Sequence, residues 1–424
     1  MKFRGLFIGF VAIGLQAMGA WAGDRAILTT TDYSSGSLAA VDLETLQAEV
    51  NLLNIHSDAS VQTYRGKIYV VNRLGQDNIL VLDPDDMATP VRQFSVGNGS
   101  NPQHIAFASE TKAYVTRLES ERVLVVNPAT GDSLGSIDLS FVADADGLPE
   151  AAFMTIFDGR LYVACQRLDR NDPSWAPTDR SEVVVVDVNT DTVIDLDSTR
   201  DGTQGIVLQA KNPFGGQVRM GKLYLSCVGR FGALDGGIEV LDLQNNRSEG
   251  VLLSEGDLGG DVGAFAMVSQ DRGYAVVVDA SFVNSVRGID LAEGTVSAPL
   301  PGTSGGFTPA IGALKGRLYV SDQGSFGSPE TVGLRVYDTS ADTLVAGPIS
   351  TGLPPNFIAF LEGVAVADFD GDGDVNFGDF VVFARAFGTG PGSPGWDPKF
   401  DLDGDGRVNF GDFVIFARRF GHSG

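Results

Sequence analysis

Two acidic segments near the C-terminal end of the sequence have the composition and spacing of calcium-binding loops. The segment DFDGDGDVNFGDFVVFARAFG (368–388) recurs as DLDGDGRVNFGDFVIFARRFG (401–421). Calcium takes about six to eight oxygen ligands, and a loop of about 12 residues supplies them from positions 1, 3, 5, 7, 9 and 12, with glycine at position 6. Both segments fill all of these positions, and two complete matches in tandem predict two calcium sites.

The predicted ligands alternate along each loop. Those of the first site are Asp368, Asp370, Asp372, Asp374, Asn376 and Asp379. Those of the second site are Asp401, Asp403, Asp405, Arg407, Asn409 and Asp412. Asp374 and Arg407 stand at position 7, which contributes a backbone carbonyl oxygen. Because carboxylates packed this closely repel each other, a bound cation is needed to hold them together.

A short amphipathic helix is predicted after each loop. The apolar positions at i, i+3, i+4 and i+7 are Phe380, Phe383, Ala384 and Phe387, then Phe413, Phe416, Ala417 and Phe420. The segment between the two repeats, GPGSPGWDPKF (390–400), contains three prolines and cannot form a helix that enters the second loop. We expect the two apolar faces to pack on each other. Such a small module buries little surface, so metal binding should contribute much of its folding free energy.

Aspartate at position 12 and the absence of an entering helix make this module resemble a dockerin. The resemblance implies that the module docks onto a cohesin domain and attaches the chain to an assembly or a surface. Cellulosomal dockerins usually have Ser/Thr-type recognition residues at loop positions 10 and 11, where this chain has Phe377-Gly378 and Phe410-Gly411. The partner therefore stays open between a cohesin-like protein and another surface protein.

Between residues 26 and 363 the sequence repeats a unit of two short apolar strands. The first strand contains Tyr, in GKIYVV (66–71), TKAYVT (111–116), GRLYVA (159–164), GKLYLS (221–226), RGYAVV (272–277) and GRLYVS (316–321). The second strand ends in Asp or Asn, in ILVLD (79–83), VLVVN (123–127), VVVVD (183–187), IEVLD (238–242), RGID (287–290) and LRVYD (334–338). Six full copies of the unit are visible.

A seventh copy is divided between the two ends of this region. AILTTTD (26–32) and SLAAVD (37–42) supply its marker strands, and PPNFIAFL (354–361) supplies the strand that precedes the markers elsewhere. Short strands in a repeat of about 45 residues are typical of a β-propeller with four strands per blade. We predict an all-β, seven-bladed β-propeller whose last strand completes the first blade, followed by a small α-helical module.

The repeat TKAYVTRLESERVLVVNPATGDSLGSIDL (111–139) also resembles the YVTN family of surface-associated propellers. The resemblance covers the blades and implies a fold, not an activity, because propellers carry many unrelated functions. The predicted domains are a signal peptide at 1–22, the propeller at 23–364 and the dockerin-like module at 365–424.

One face of the predicted ring collects long, irregular connections, where binding residues usually lie. Arginines follow the tyrosine strands of the second to fifth repeats, at Arg73, Arg117, Arg167 and Arg230. In a chain with 30 Lys+Arg against 54 Asp+Glu, such a basic arc is unexpected. It predicts either a site for an anionic ligand such as an acidic polysaccharide, or ion pairs with neighbouring aspartates. His104, on the inner strand of the third repeat, is either a further ligand-binding residue beside this arc or a structural histidine.

The N-terminus indicates export. Lys2 and Arg4 precede an apolar run and the small residues of Ala20-Trp21-Ala22, which is typical of a signal peptide. We therefore expect a secreted protein that is extracellular, on the cell surface or in the periplasm, and no later segment has the apolar length of a membrane span. The formal net charge of −24 argues against nucleic acid as a partner, because Lys/Arg surfaces bind it.

Cys165 and Cys227 are the only cysteines, and they occupy matching positions in successive repeats. A disulfide between them is one alternative. Equivalent positions in neighbouring repeats are usually too far apart for that geometry, so two buried free thiols are expected.

Two functions remain compatible with the sequence. The first is a calcium-dependent binding protein, in which the propeller is a ligand- or protein-binding scaffold and the dockerin-like module attaches it. The alternative is a polysaccharide-active lyase or glycoside hydrolase with its active site in the propeller mouth, because a pair of catalytic carboxylates has no sequence signature. The chain has three histidines and lacks the H-E-x-x-H and phosphate-loop motifs, which favours binding over catalysis.

Overall fold

The computed structural model of the protein describes residues 23–325, 327–362, 367–372, 374–402 and 406–420. The predicted signal peptide lies outside these residues. Within them the chain forms a β-propeller followed by a helical C-terminal module, which confirms the predicted fold class.

The propeller consists of strands that are mostly five to eight residues long. In chain order they are β1 (Arg25–Thr31), β2 (Gly36–Asp42), β3 (Ala48–Ile55), β4 (Ala59–Tyr64), β5 (Lys67–Asn72), β6 (Asn78–Asp83), β7 (Asp86–Ser95), β8 (Pro102–Ser109), β9 (Lys112–Arg117), β10 (Arg122–Val126), β11 (Ser133–Asp138), β12 (Ala151–Phe157), β13 (Arg160–Cys165), β14 (Glu182–Asp187), β15 (Thr192–Val193), β16 (Ile206–Val207), β17 (Pro213–Arg219), β18 (Lys222–Cys227), β19 (Gly237–Asp242), β20 (Arg247–Ser254), β21 (Asp261–Met267), β22 (Arg272–Val278), β23 (Asn284–Asp290), β24 (Thr295–Pro299), β25 (Ala310–Leu314), β26 (Arg317–Asp322), β27 (Gly333–Asp338), β28 (Thr343–Ile349) and β29 (Pro355–Leu361).

These strands form seven antiparallel sheets, the blades, in which strands adjacent in the chain are adjacent in the sheet. Blades 2 to 7 begin with β4, β8, β12, β17, β21 and β25 as their innermost strands. Blade 1 has the order β29-β1-β2-β3, so the last strand of the propeller pairs with the first. The ring closes as predicted, because the seventh repeat is divided between the two ends.

Blade 4 has an interrupted outer strand. The short strand β15 pairs with one end of β14, and β16 pairs with the other end. Residues 194–205, between these two strands, lie outside the sheet. This segment contains three separated aspartates and Gly202, whose φ is positive. These residue types favour turns over strand pairing.

The core of the propeller lies between the blades. Seven clusters of buried apolar side chains each join two neighbouring sheets, one per interface around the ring. Residues that alternate along one strand enter different clusters, as Ile27 packs towards blade 2 and Leu28 towards blade 7. A sheet covered on both faces must be apolar on both, and for this reason the strands read as continuous apolar runs.

The repeated tyrosine of the second strand connects each of blades 2 to 7 to the following blade. Tyr114, Tyr162 and Tyr274 donate hydrogen bonds to a turn of the following blade, with acceptors Asp191, the Leu243 carbonyl oxygen and Asp342. Tyr69, Tyr224 and Tyr319 instead bring their rings against a phenylalanine on the inner strand of the following blade. The motif that identified the repeats therefore stabilises the contacts between them.

The two faces of the ring differ as the loop lengths predict. Short turns join the first and second strands of the blades on one face, which we call the turn face. The long connections, including 139–150, 166–181 and 300–309, lie on the opposite face, which we call the loop face.

Cys165 and Cys227 end the second strands of adjacent blades and are buried free thiols, as expected. Short helical segments occur at Ser140–Val142, α1 (Glu255–Leu258) and Pro329–Thr331.

The C-terminal module contains α2 (Phe377–Ala386), a 3-10 turn at Pro398–Phe400 and α3 (Phe410–Arg419). Its own core includes Phe383 and Phe416, whose rings stack at 5.5 Å between centroids. The predicted contact between the two helices is therefore present.

The predicted apolar face is wrong at its C-terminal half. Ala384, Phe387, Ala417 and Phe420 are exposed, and Ala386 is buried in the core instead. The reason is that each helix is only ten residues long and the chain turns away at Phe387 and Phe420. Among the described residues no helix combines the length and the hydropathy that crossing a membrane requires.

Candidate calcium centre and propeller mouth

The first acidic loop brings four carboxylates to one point. Asp368, Asp370, Asp372 and Asp379 each offer an oxygen, and these oxygens lie within 4.8 Å of one another. The first three side chains reach the point from the loop, whereas Asp379 reaches it from the first turn of α2. Burial, together with the neighbouring carboxylates, raises the pKa of Asp370.

Asp379 is fully buried and holds the loop in its folded shape. Its Oδ1 accepts hydrogen bonds from the backbone N–H groups of Phe369 (2.6 Å) and Asp370 (3.1 Å). Its Oδ2 accepts one from the N–H group of Asn376 at 2.8 Å. The carboxylate at position 12 therefore has a structural role besides the one predicted for it.

Asn376 and Asp379 also form a capping box on α2. The Asn376 side chain accepts a hydrogen bond from the Gly378 N–H group at 2.6 Å, and the Asp379 side chain accepts one from the Asn376 backbone N–H group. This arrangement satisfies N–H groups that have no partner within the helix. The spacing Asn-x-x-Asp before an apolar helix is the sequence signal that could have revealed this second role.

The second loop repeats this geometry where it is described. Asp412 is fully buried and accepts hydrogen bonds from the N–H groups of Leu402 (2.6 Å) and Asn409 (2.7 Å). Asn409 caps α3 through the Gly411 N–H group at 2.8 Å. Asp401 Oδ2 accepts from Gly406, while its buried Oδ1 has no partner among the described residues. Arg407 stands at position 7, and the predicted ligands Asp403 and Asp405 lie outside the described residues.

These donor sets fit calcium. Calcium prefers carboxylate and carbonyl oxygens, and the first loop presents four carboxylates together with the position 7 carbonyl of Asp374, which accepts a long hydrogen bond of 3.5 Å from Asn376 Nδ2. In the second loop the buried Asp401 Oδ1 is an oxygen that a cation would satisfy. The residues in both loops therefore suit the ion that the sequence predicts.

Two phenylalanines stand exposed next to the loops. Phe377 and Phe410 occupy position 10 and are 68% and 69% exposed. They begin α2 and α3 and so occupy equivalent places in the two repeats. A Cβ atom added at Gly378 would overlap the Asp370 carboxylate, so a larger residue at position 11 would require that ligand to turn. The module presents large apolar groups where the expected recognition residues are small and polar.

The structure does not gather the four predicted ligand-binding arginines into one site. Arg73 lines a central cavity, but its guanidinium group is bound to Asp58 and to Gln103 Oε1 at 2.8 Å. Arg167 pairs with Asp179 at 2.8 Å, and Arg230 pairs with Asp172 at 2.6 Å.

Arg117 is likewise committed to local contacts, and so is the acidic arc, which Asp32, Asp279 and Asp322 form after the corresponding strands of the other repeats. Arg117 donates to the backbone carbonyl oxygens of Val96 and Arg122. On the other arc, Asp322 pairs with Arg335 at 2.6 Å, and Asp32 and Asp279 accept hydrogen bonds within their own turns. Of the two sequence alternatives, the geometry favours ion pairs and turn contacts over an open anion site.

The central cavity has a volume of about 1010 Å³ and is lined by the inner strands of all seven blades. It opens at the loop face, where Tyr33, Phe231 and Phe307 line it. His104 lies on its wall, with its ring 5.2 Å from that of Phe153, and burial lowers its pKa to about 4. Among the described residues that line the cavity, Asp58 is the only carboxylate.

Buried acids that hold the loops between blades were missed by sequence reasoning. Asp77 accepts hydrogen bonds from the N–H groups of Gly99 and Asn101. Glu239 accepts from those of Gln209 and Ala210. Glu255 accepts from those of Gly236 and Val262, at 2.8 Å and 2.9 Å. Single acids among 54 carry no signal of such a role.

The fold and the acidic loops together define a β-propeller joined to a calcium-binding helical module. Comparison with known families agrees, because residues 366–421 match the dockerin type I domain family. The C-terminal module is thus a dockerin domain, and dockerin domains bind calcium and cohesins. No curated protein matches the sequence.

Solved structures with a similar fold exist for the propeller. A proposed 6-phosphogluconolactonase from Bacteroides fragilis superposes with a TM-score of 0.55 at 10% identity, covering 80% of this chain and 98% of that one. A chain of hydrazine synthase from Kuenenia stuttgartiensis superposes with a TM-score of 0.53 at 14% identity, covering 72% of this chain and 91% of that one. At such identities the likeness concerns the fold alone.

Proposed function

We propose that this chain is a secreted, calcium-dependent binding protein. In this proposal residues 1–22 are a signal peptide, the propeller at 23–364 is the binding body, and the dockerin domain at 365–424 attaches it to a partner protein or a cell surface. The observation that carries the proposal is the cluster of four carboxylates within 4.8 Å in a module that matches the dockerin type I domain.

The cavity supports binding rather than catalysis. Glycoside hydrolysis commonly needs two carboxylates about 5–10 Å apart across the reacting bond. The described lining of the cavity offers Asp58 alone, and that carboxylate is already paired with Arg73. Among the described residues of this cavity, the glycoside hydrolase alternative therefore lacks its catalytic pair.

The surface around Phe377 and Phe410 is the proposed partner-binding surface of the dockerin domain. Exposed aromatic side chains are among the residues that contribute most to protein interfaces. Their apolar character favours a cohesin-like partner with an apolar pocket over one that hydrogen-bonds to Ser or Thr. Since both begin helices that the calcium loops cap, partner binding should require calcium.

A calcium titration with cohesin-type domains tests this proposal. Calorimetry on the full chain should show about two ions per chain, and a panel of immobilised cohesin domains should retain the chain in calcium and release it on chelation. The double change Phe377→Ser and Phe410→Ser should weaken retention at least about tenfold, or ~1.4 kcal/mol, without changing calcium affinity. Failure of every cohesin to retain the calcium-loaded chain would contradict the assigned partner class.

The chain offers a matched control for this experiment. Phe387 and Phe420 are each 49% exposed at the opposite ends of the same helices. Their change to Ser removes the same number of exposed rings but should leave retention unchanged. Equal losses in the two double variants would show that general hydrophobicity, not the position 10 residues, determines binding.

A further inference from the structure

The central cavity combines apolar walls with a few buried polar atoms that have no partner. Phe153, Phe265, Phe357 and Phe360 contribute rings to its walls, together with Ile311 and Ile358. Three of its lining residues carry a buried polar atom without a hydrogen bond to the described protein, namely Gln62 Oε1, His104 Nδ1 and Ser226 Oγ. Ser226 is only 1% exposed. A buried polar atom without a partner costs about 1–3 kcal/mol, which a suitable ligand would recover.

The charge of the cavity limits its ligand to an uncharged molecule. The only acid and the only arginine among its described lining residues, Asp58 and Arg73, neutralise each other. With burial lowering the pKa of His104 to about 4, its imidazole is neutral at physiological pH. An ion entering the cavity would lose its hydration without gaining a counter-charge, which is strongly unfavourable.

The entrance of the cavity is aromatic. Tyr33, Phe231 and Phe307 line it at the loop face and are 67%, 54% and 52% exposed. Phe282 stacks on Phe231 with 6.0 Å between ring centroids. Small-molecule sites are mostly apolar, enclose about 300–1,000 Å³ and carry a small number of polar groups that fix orientation. The cavity has each of these properties, with its volume at the upper end of that range.

We propose that the central cavity binds an uncharged, mainly apolar small molecule, aromatic or alicyclic, that carries at least one hydroxyl or amide hydrogen. The hydrogen of that group would be donated to Gln62 Oε1, since an amide oxygen only accepts. This inference rests on the proposed function in assigning ligand binding to the propeller, and it replaces an anionic ligand with a neutral one.

A plug variant tests where the ligand sits. Gly215 lines the cavity, and a Cβ atom built on it meets nothing within 4 Å. Gly215→Trp should therefore place an indole ring inside the cavity, in the path of a bound ligand, without disturbing the blade. The uncharged dye Nile red should bind the wild-type chain with a stoichiometry of about one and bind Gly215→Trp at least about tenfold more weakly, ~1.4 kcal/mol.

The matched control places the same side chain on the outside. Gly256 is exposed in α1, and its Cβ atom would make only an ordinary contact of 3.5 Å with Ser254 Oγ. Gly256→Trp should bind Nile red like the wild type, and both variants should keep the melting temperature of the propeller. Equal dye affinity in wild type and in a folded Gly215→Trp variant would overturn the proposal, because the dye would then bind elsewhere.

The role of Gln62 is tested by a pair of small ligands of which only one carries a hydroxyl hydrogen. Calorimetry should show naphthol binding about tenfold more tightly than methoxynaphthalene, which lacks the donor, and Gln62→Leu should remove this preference. Absence of the preference in the wild type, or its persistence in Gln62→Leu, would overturn the assignment of the donor. Tighter binding of galacturonate oligomers than of naphthol would overturn the neutral class of ligand.

These titrations are made on the full chain, once in calcium and once with a chelator. Both predicted calcium sites lie in the dockerin domain, so ligand affinity should agree in the two conditions. Loss of cohesin retention would then count against the proposed attachment alone, whereas loss of ligand binding would count against the cavity alone.

Discussion

The propeller and the dockerin domain solve the problem of buried carboxylates in opposite ways. In the propeller, Glu255 is satisfied by two backbone N–H groups and Asp322 by Arg335, so the groups that balance each acid belong to the fold. In the dockerin domain, Asp368, Asp370, Asp372 and Asp379 face one another. The comparison teaches that one part of the chain balances its acids internally, while the other gathers carboxylates whose repulsion a cation from solution would balance.

Removal of calcium should separate the two parts most clearly. A chelator should abolish the folding transition of the dockerin domain and its helical circular dichroism, because metal binding supplies much of the folding free energy of so small a module. The calorimetric transition of the propeller should stay in place. A single calcium-sensitive transition for the whole chain would break the comparison and with it the proposed boundary near residue 365.

Changing one buried ligand should produce the next largest effect. Asp379→Ala leaves three backbone N–H groups without their acceptor and removes a carboxylate from the first site. We expect calcium affinity at that site to fall about 100-fold, ~2.7 kcal/mol, as measured by calorimetry.

Asp374→Ala is the matched control for this change. Asp374 is exposed and contributes its backbone carbonyl, which the substitution preserves. The calcium affinity of the Asp374→Ala variant should stay within about threefold of the wild type, since a change in charge near the ion has a smaller effect than the loss of a ligand. Similar losses in both variants would mean that net charge, not coordination, governs the site.

A lower pH should change the stabilities of the propeller and the dockerin domain in opposite directions. Burial raises the pKa of Glu255 to about 7, above the value of about 4.3 for an exposed glutamate. The folded propeller therefore binds this proton more tightly than the unfolded chain does. The resulting stabilisation is complete below pH ~4.3 and is lost as the pH rises to about 7, on the order of 3 kcal/mol. Protons compete with calcium for the dockerin carboxylates, so that domain should instead weaken in acid.

Thermal melts of the full chain in calcium across this pH range measure both slopes. Glu255→Gln should flatten the slope of the propeller transition, whereas Glu330→Gln, at an exposed position, should not. A propeller that gains stability as the pH rises from about 4.3 to about 7 would contradict the assignment.

The smallest expected effect concerns the contacts between blades. Tyr274→Phe removes the hydroxyl that bonds to Asp342 and should lower the stability of the propeller by about 1 kcal/mol, without any change in the dockerin transition. Tyr319→Phe is the control, because that tyrosine contacts Phe360 through its ring at 5.2 Å, and the ring is retained. Equal destabilisation by the two changes in denaturant melts would show that the hydroxyl is not the stabilising group.

The fold could be predicted from sequence because its signals are repeated. The tyrosine strands recur in six copies, and the divided seventh copy indicates closure of the ring. The first calcium loop could be predicted because its ligands lie close together in the sequence. A single short loop brings Asp368 and Asp379 together.

The propeller site could not be predicted to the same extent, because its residues come from all seven blades. Arg73, Arg167 and Arg230 occupy similar places after their strands, but each is paired by an aspartate whose proximity the sequence does not reveal. Gln62 and Ser226 do not belong to any sequence motif that indicates ligand binding. Their significance comes from the apolar surroundings that the closed ring creates.

Lys315 marks where the propeller begins and ends in space. It lies in the short turn between β25 and β26 on the turn face and contacts both Asp24, at 2.6 Å, and Glu362, at 3.5 Å. The chain thus leaves the ring towards the dockerin domain from the side opposite to the aromatic entrance. Under the proposed function, attachment starts from the turn face and the ligand enters from the loop face, so the coupling free energy between partner binding and ligand binding should be near zero. The propeller can then bind its ligand before or after the dockerin domain binds its partner.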